Sequence, residues 1–177
     1  MIQLELHIGY VYGDVSIPKH ASLFTPKYIP GARLPHAWIK PLTTRACNTP
    51  PIDVSYIAEF DNDAIVQRQY STLDLCSMSE FTLITKDNSI WHTQFDQIKQ
   101  KSHICLPLRL MTEDVDFSFV DAQSGGQWTT SFGLEDGGAV LVRPDQHVLF
   151  VAKDETSVAE ICDVLHGYLG LPLSHSY

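Results

Sequence analysis

The sequence is poor in the short motifs by which most enzymes are read. None of its ten glycines falls in a GxGxxG that follows a strand, so no cradle for a dinucleotide pyrophosphate is spelled out. There is no GxxxxGK[ST], no HExxH and no GxSxG, which removes the phosphate loop, the helix-borne zinc pair and the nucleophile elbow. Basic residues are scarce: 12 Lys and Arg stand against 21 Asp and Glu, a formal net charge of −9. Nucleic acid and anionic membrane surfaces both attract basic patches, so neither is expected as the main partner. No apolar run approaches the roughly 20 residues that span a bilayer. The start, Met1-Ile2-Gln3-Leu4-Glu5-Leu6-His7, lacks a basic segment followed by a long apolar one and is not expected to be a secretory signal. Cys47, Cys76, Cys105 and Cys162 form no CxxC and no zinc spacing, and the eight histidines show no ligand spacing. Four reduced thiols in a cytoplasmic protein without a metal is the simplest reading.

What is present is a globular balance, 44% hydrophobic and 19% charged over 177 residues, enough for one domain with a real core. The most legible stretch is 137–152. Ala139–Val142 and Val148–Ala152 are apolar runs flanking Arg143-Pro144-Asp145-Gln146, where proline presets φ for the second position of a type I turn. Both runs have little polar alternation, so a hairpin at the centre of a sheet, covered on both faces, is expected. After it, Ser157 and Glu160 spell a capping box. Val158, Ile161, Cys162, Leu165, Tyr168 and Leu169 then make one apolar helical stripe, with Gly170 placed to end it.

Three stretches divide the chain. Residues 1–40 read as an extended N-terminal arm. Ile2, Leu4, Leu6 and Ile8 alternate as in a strand, Tyr10 and Tyr12 lie between glycines, and Pro18, Pro26, Pro30 and Pro35 forbid long helix before Trp38, which is expected to be anchored. Residues 41–70 read as a loop-rich insertion, with a short strand near Val54–Ile57 and a helical turn near Asp63–Arg68. In residues 71–177, Ser71–Leu75 and Phe81–Thr85 read as strands. Asp87-Asn88-Ser89 starts a helix that faces the core with Trp91, Phe95 and Ile98. Ile104–Leu110 reads as a strand, with Pro107 pointing to an edge or a bend. Val115–Val120 reads as a further strand or an approach to one, broken by Gly125-Gly126, and Trp128 and Phe132 lie on a short helical piece. Trp91, Leu141, Val148 and Leu165 are expected to share one core.

The order strand, helix, strand, short helix, hairpin, helix gives the fold class: α/β, thioredoxin-like, a central mixed sheet flanked by helices with an extended arm. A thiol oxidoreductase of that fold carries a reactive cysteine where the first helix begins. Here the helix begins Asn88-Ser89-Ile90-Trp91, so thiol redox chemistry is not expected.

Four motifs in order, Pro30–Trp38, Ser71–Leu75, Phe81–Leu83 and Ala139–His147, with Gly9-Tyr10-Val11-Tyr12 before them, resemble the C-terminal domain of flavin-dependent aromatic hydroxylases of the phenol 2-monooxygenase-like type. The resemblance implies a non-redox accessory domain that gives structural support or subunit contacts as a dimerisation element. It also implies that FAD and NAD(P)H are handled by a parent or partner flavoprotein and not by this chain. Homodimerisation or a flavin-domain partner follows from the same resemblance. The acid-base candidates under an alternative reading, a stand-alone cofactor-independent enzyme acting on an aromatic or polyketide-like small molecule, are His36, Asp74, Arg143 and His147. Each has a plainer reading: His36 bonded to backbone in a packed turn, Asp74 capping a loop or pairing with Arg33 or Arg143, Arg143-Pro144-Asp145 forming a turn, His147 at the surface. Tyr10, Tyr12 and Trp38 are the candidate interface residues, because aromatic anchors carry interface energy when desolvated.

Overall fold

The computed structural model describes residues 10–13, 25–46, 70–86, 88–101 and 107–171. The expected strand at 2–8 and the strand and helical turn within 53–69 lie outside them. The described elements are β1 (Trp38–Pro41), β2 (Tyr70–Ser71), β3 (Phe81–Thr85), α1 (Asn88–Lys101), β4 (Leu108–Thr112), β5 (Phe117–Phe119), α2 (Ala122–Ser131), β6 (Ala139–Val142), β7 (Val148–Ala152) and α3 (Val158–Tyr168).

The main sheet has the order β4-β3-β6-β7. β3 and β4 run parallel, joined through α1, while β6 runs antiparallel to both β3 and β7. Two helices of different origin, α1 and α3, cover one face. This is the thioredoxin-like arrangement expected. Side-chain alternation along the strands sorts the interior into two cores. Phe81, Leu83, Leu110 and Leu141 pack with Trp91 and Ile98 of α1 and with Ile161 and Leu165 of α3. Ile84, Met111, Val140 and Val142 point the other way, onto Trp128 and Phe132 of α2 and onto Leu34, Ile39 and Phe117. Val148 belongs to this second core, so the expected group of Trp91, Leu141, Val148 and Leu165 is divided between the faces. All four are buried; a bulge near Val142 shifts the register of β7 and with it the side to which Val148 turns.

A second sheet, order β2-β1-β5, closes over that other face. Its central strand, β1, comes from the end of the arm. The Pro35 carbonyl accepts from Thr72 Oγ1 at 2.7 Å and from the indole of Trp128 at 2.9 Å, and Ala37 N–H donates to Thr72 Oγ1 at 3.1 Å. The backbone of Pro35 and Ala37, just before β1, is thus satisfied by buried side chains, and β1 itself by pairing with β2 and β5.

Several expectations are corrected. The hairpin is not central: β6 is buried throughout, but β7 is the outer strand of its sheet and only half-covered in the middle. Ser71–Leu75 is not a strand beyond Ser71. Thr72–Leu75 is a 3-10 turn, because Ser71 and Asp74 form a complete capping box there. The expected box at Ser157 and Glu160 does not form. Asp154 caps one turn earlier, accepting from Thr156 N–H at 2.9 Å, and a 3-10 turn leads into α3. The stripe of α3 is buried through Leu165, while Tyr168 and Leu169 emerge. Gly170 ends the helix as expected, in the left-handed region, with Leu171 N–H on the His166 carbonyl and Gly170 N–H on that of Gly167. Gly125 and Gly126 do not break the chain but lie inside α2. A Cβ on Gly125 would stand 2.5 Å from the ring of Phe119, so glycine is what lets α2 settle on β5. The strand after Pro107 starts at Leu108 and runs to Thr112, at the sheet edge that the proline signalled.

Candidate interaction site at the hairpin turn

The β6–β7 turn is the most heavily furnished place among the described residues. Gln146 N–H closes the turn onto the Arg143 carbonyl at 3.0 Å, and Gln146 sits in the left-handed region at φ 65°. That is a turn with Pro144 in second position followed by a left-handed residue, a three-residue loop that suits the twist of the hairpin. Residues 31–34 of the arm then lie against the far side of the turn. Gly31 N–H donates to Val148 O, Val148 N–H to Ala32 O, and Leu34 N–H to Gln146 O, each at 2.8 Å. This covers part of the exposed edge of β7. Residues 10–12 add one more layer, Val11 pairing with Ala32 and Tyr12 N–H donating to Gly31 O at 3.0 Å.

Side chains gather on this backbone frame. Asp145 forms an ion pair with Arg143, accepts from His147 N–H at 3.3 Å, and stands 3.4 Å from His147 Nδ1. The Arg143 guanidinium lies over the ring of Tyr12 at 4.6 Å and over that of Tyr168 at 4.9 Å. Burial works against the charge on Arg143, and the hydrogen bond and attraction of Asp145 more than offset it, holding its pKa above the ordinary value. The ring of His147 meets Tyr12 edge-on at 4.8 Å and Tyr10 at 5.4 Å. The two tyrosine hydroxyls are 3.3 Å apart, and that hydrogen bond is the main cause of a raised pKa at Tyr10. His147 is only 6% exposed, which corrects the expectation of a surface histidine: the arm covers it.

The other candidates lie elsewhere. Asp74 is the cap expected of it, accepting from Ser71 N–H at 2.8 Å. It lines a cleft of about 450 Å³ with Leu73, Cys76, Ser77, Met78, Ser79 and Gln146. Gln146 ties that cleft to the hairpin turn, donating to Leu73 O at 3.2 Å and accepting from Arg33 at 3.1 Å. His36 is exposed, not bonded into a packed turn, and its ring stands edge-on to Trp38 at 4.4 Å. Trp38 itself is 47% exposed, so it is not the anchored aromatic of its segment; Ala37 and Ile39 are buried in its place. Arg143 and His147 are therefore brought together on Asp145, while Asp74 sits at the neighbouring cleft and His36 pairs with Trp38. Sequence reasoning passed over Tyr168, which looked like the continuation of a core stripe, and Asp145, which looked like a turn former only.

Cys76 lies in the floor of the cleft. Burial is the main cause that pushes its thiol up to about 12; Arg109 pulls it down and Asp74 pushes it further up. Cys162 is buried in the α3 stripe, as expected. Among the described residues no group of histidine, cysteine and carboxylate side chains is arranged to hold a metal, and no helix is long and apolar enough to cross a membrane.

The family model of the aromatic-ring hydroxylase C-terminal domain matches residues 59–172. The chain belongs to the aromatic-ring hydroxylase C-terminal family. Solved structures carry the same fold. The flavin-dependent monooxygenase PieE, determined with FAD and substrate, superposes with a TM-score of 0.62 at 22% identity, over 97% of this chain and 27% of its own. Aklavinone-11 hydroxylase, in a complex with FAD and aklavinone, gives 0.54 at 18% identity, over 86% of this chain and 23% of its own. The rebeccamycin biosynthetic enzyme RebC with reduced flavin gives 0.51 at 23% identity, over 93% and 24%. No curated relative matches the chain. This aromatic-ring hydroxylase C-terminal domain thus spans about a quarter of the length of the enzymes whose fold it shares.

Proposed function

We propose that the chain serves as the accessory thioredoxin-like domain of an FAD-dependent monooxygenase acting on an aromatic compound, in the cytoplasm, giving structural support and contacts to a flavin domain or to a second copy. The observation that carries this reading is the family match combined with coverage: the domain corresponds to about a quarter of each similar flavoprotein. FAD and NAD(P)H would be held by the parent or partner protein. The division into an arm (1–40), a loop-rich insertion (41–70) and a thioredoxin-like body (71–177) is part of the same proposal.

Two features support a role through contact and not through chemistry. The buried Cys76 thiol, held far above neutral pH, is a poor nucleophile. The outer side of the second sheet carries Trp38 and Val120, 47% and 66% exposed, joined by a hydrogen bond from Val120 N–H to Trp38 O at 3.0 Å, with Leu42 and Val115 also exposed. An apolar group of this kind, centred on a tryptophan, is the composition of an interface hot spot. Light scattering over a concentration series, alone and with a flavin domain encoded in the same transcript, tests the proposal. A mass increase under either condition that is weakened by Trp38→Ala is expected. A strict monomer that leaves the flavin domain unbound would contradict it.

A further inference from the structure

The Tyr10–Tyr12 segment touches the body of the domain by an unusual set of contacts. Among the described residues its backbone is held by the hydrogen bond from Tyr12 N–H to Gly31 O and the bridge from Val11 to Ala32. Its side chains reach across to Arg143 and His147, and Arg143 continues to Tyr168 of α3. Gly31 is what permits the approach. It lies in the left-handed region at φ 86°, and a Cβ there would stand 2.4 Å from the Tyr12 carbonyl oxygen. The closed arrangement also leaves polar atoms unsatisfied: Arg33 Nε, Arg143 Nε and His147 Nε2 are buried with no hydrogen-bond partner among the described residues. Opening would give Arg143 Nε and His147 Nε2, which lie against the tyrosine rings, to water. Ring and cation contacts therefore favour closure while stranded N–H and ring nitrogen groups favour release, and the two oppose each other at one spot.

We propose that residues 10–13 form a releasable strap whose catch is the Arg143–Asp145–His147 turn. Closed, it buries His147 beneath two tyrosine rings and links the arm to the C-terminal helix through one guanidinium. Released, it uncovers His147, Arg143 and the outer edge of residues 31–34 while both cores of the sheet remain intact, since neither core depends on the tyrosine rings.

The test is histidine modification by diethyl pyrocarbonate, followed peptide by peptide in the full chain, with the exposed His36 as internal standard. His147 should react much more slowly than His36 in the wild type. In Tyr12→Ala and in Arg143→Ala its rate should rise about tenfold, the scale of losing one or two such contacts. Tyr12→Phe, which keeps the ring and loses only the hydroxyl, should stay closer to the wild type than to Tyr12→Ala. Amide exchange, read in parallel, should show the Tyr12 N–H of the wild type exchanging faster than Val140 and Leu141 in β6. Equal labelling of His147 in the wild type and in Tyr12→Ala would overturn the proposal. So would Tyr12 and β6 amides exchanging together, because the segment would then open only with the whole fold; this second reading needs no variant to fold.

Discussion

Cys76 shows how burial decides chemistry at the level of one residue. A thiol raised to about 12 has a thiolate fraction on the order of one in ten thousand at pH 8, since each unit above the ambient pH costs a factor of ten. Iodoacetamide at pH 8 should therefore leave Cys76 unmodified in the native protein and alkylate it in denaturant, and the native chain should not reduce insulin. Rapid native alkylation of Cys76, or insulin reduction at thioredoxin-like rates, would contradict the assignment of a structural thiol. The same scale shows why some side chains were legible in the sequence and others were not. Asp74 was legible as a cap only beside the alternative of pairing with Arg33 or Arg143, because its partner Ser71 stood in a stretch that reads as a strand. The burial of His147 was not legible, because what buries it is a tyrosine pair well over a hundred residues earlier, and no local pattern carries that contact. Trp38 failed for the converse reason: in a strand only alternate positions face inward, and Ala37 and Ile39 take them.

Among the elements, α3 bears most directly on stability. Leu165 is fully buried against the sheet with Ile161 and Trp91, so Leu165→Ala should cost about 2–5 kcal/mol in chemical denaturation, the range for truncating a core leucine. A change below about 0.5 kcal/mol would mean that α3 does not pack on this core. The helices were readable from apolar spacing, and β3 and the β6–β7 hairpin from short apolar runs bounded by turn signals. Their boundaries were not. The caps at Asp154 and Ser71 set where α3 and the 72–75 turn begin, and Gly125, read as a breaker, is inside a helix because Phe119 leaves no room for a side chain. The second sheet escaped notice for a related reason. Its three strands come from residues 38–41, 70–71 and 117–119, each too short to show a period, and it exists by long-range pairing alone.

On the scale of the whole molecule, the thioredoxin-like order of elements was legible, and so was the family, since the motifs that carry the resemblance are spread along the described chain. The site was legible only in part: Arg143 and His147 were singled out, but their union on Asp145, under Tyr10 and Tyr12 and against Tyr168, is a product of tertiary packing. What the molecule presents to others is an exposed aromatic and aliphatic face on its second sheet and a tyrosine strap over its hairpin turn. Both suit a domain that works against a neighbour. The most direct measurement is capture of the native protein from its source cells with an antibody raised against this chain, followed by flavin quantification and mass spectrometry of what is retained. FAD is expected in near-stoichiometric amount, carried by a flavin domain in the same polypeptide or in a partner that co-purifies. Recovery of the chain free of flavin and of any flavoprotein would contradict that expectation.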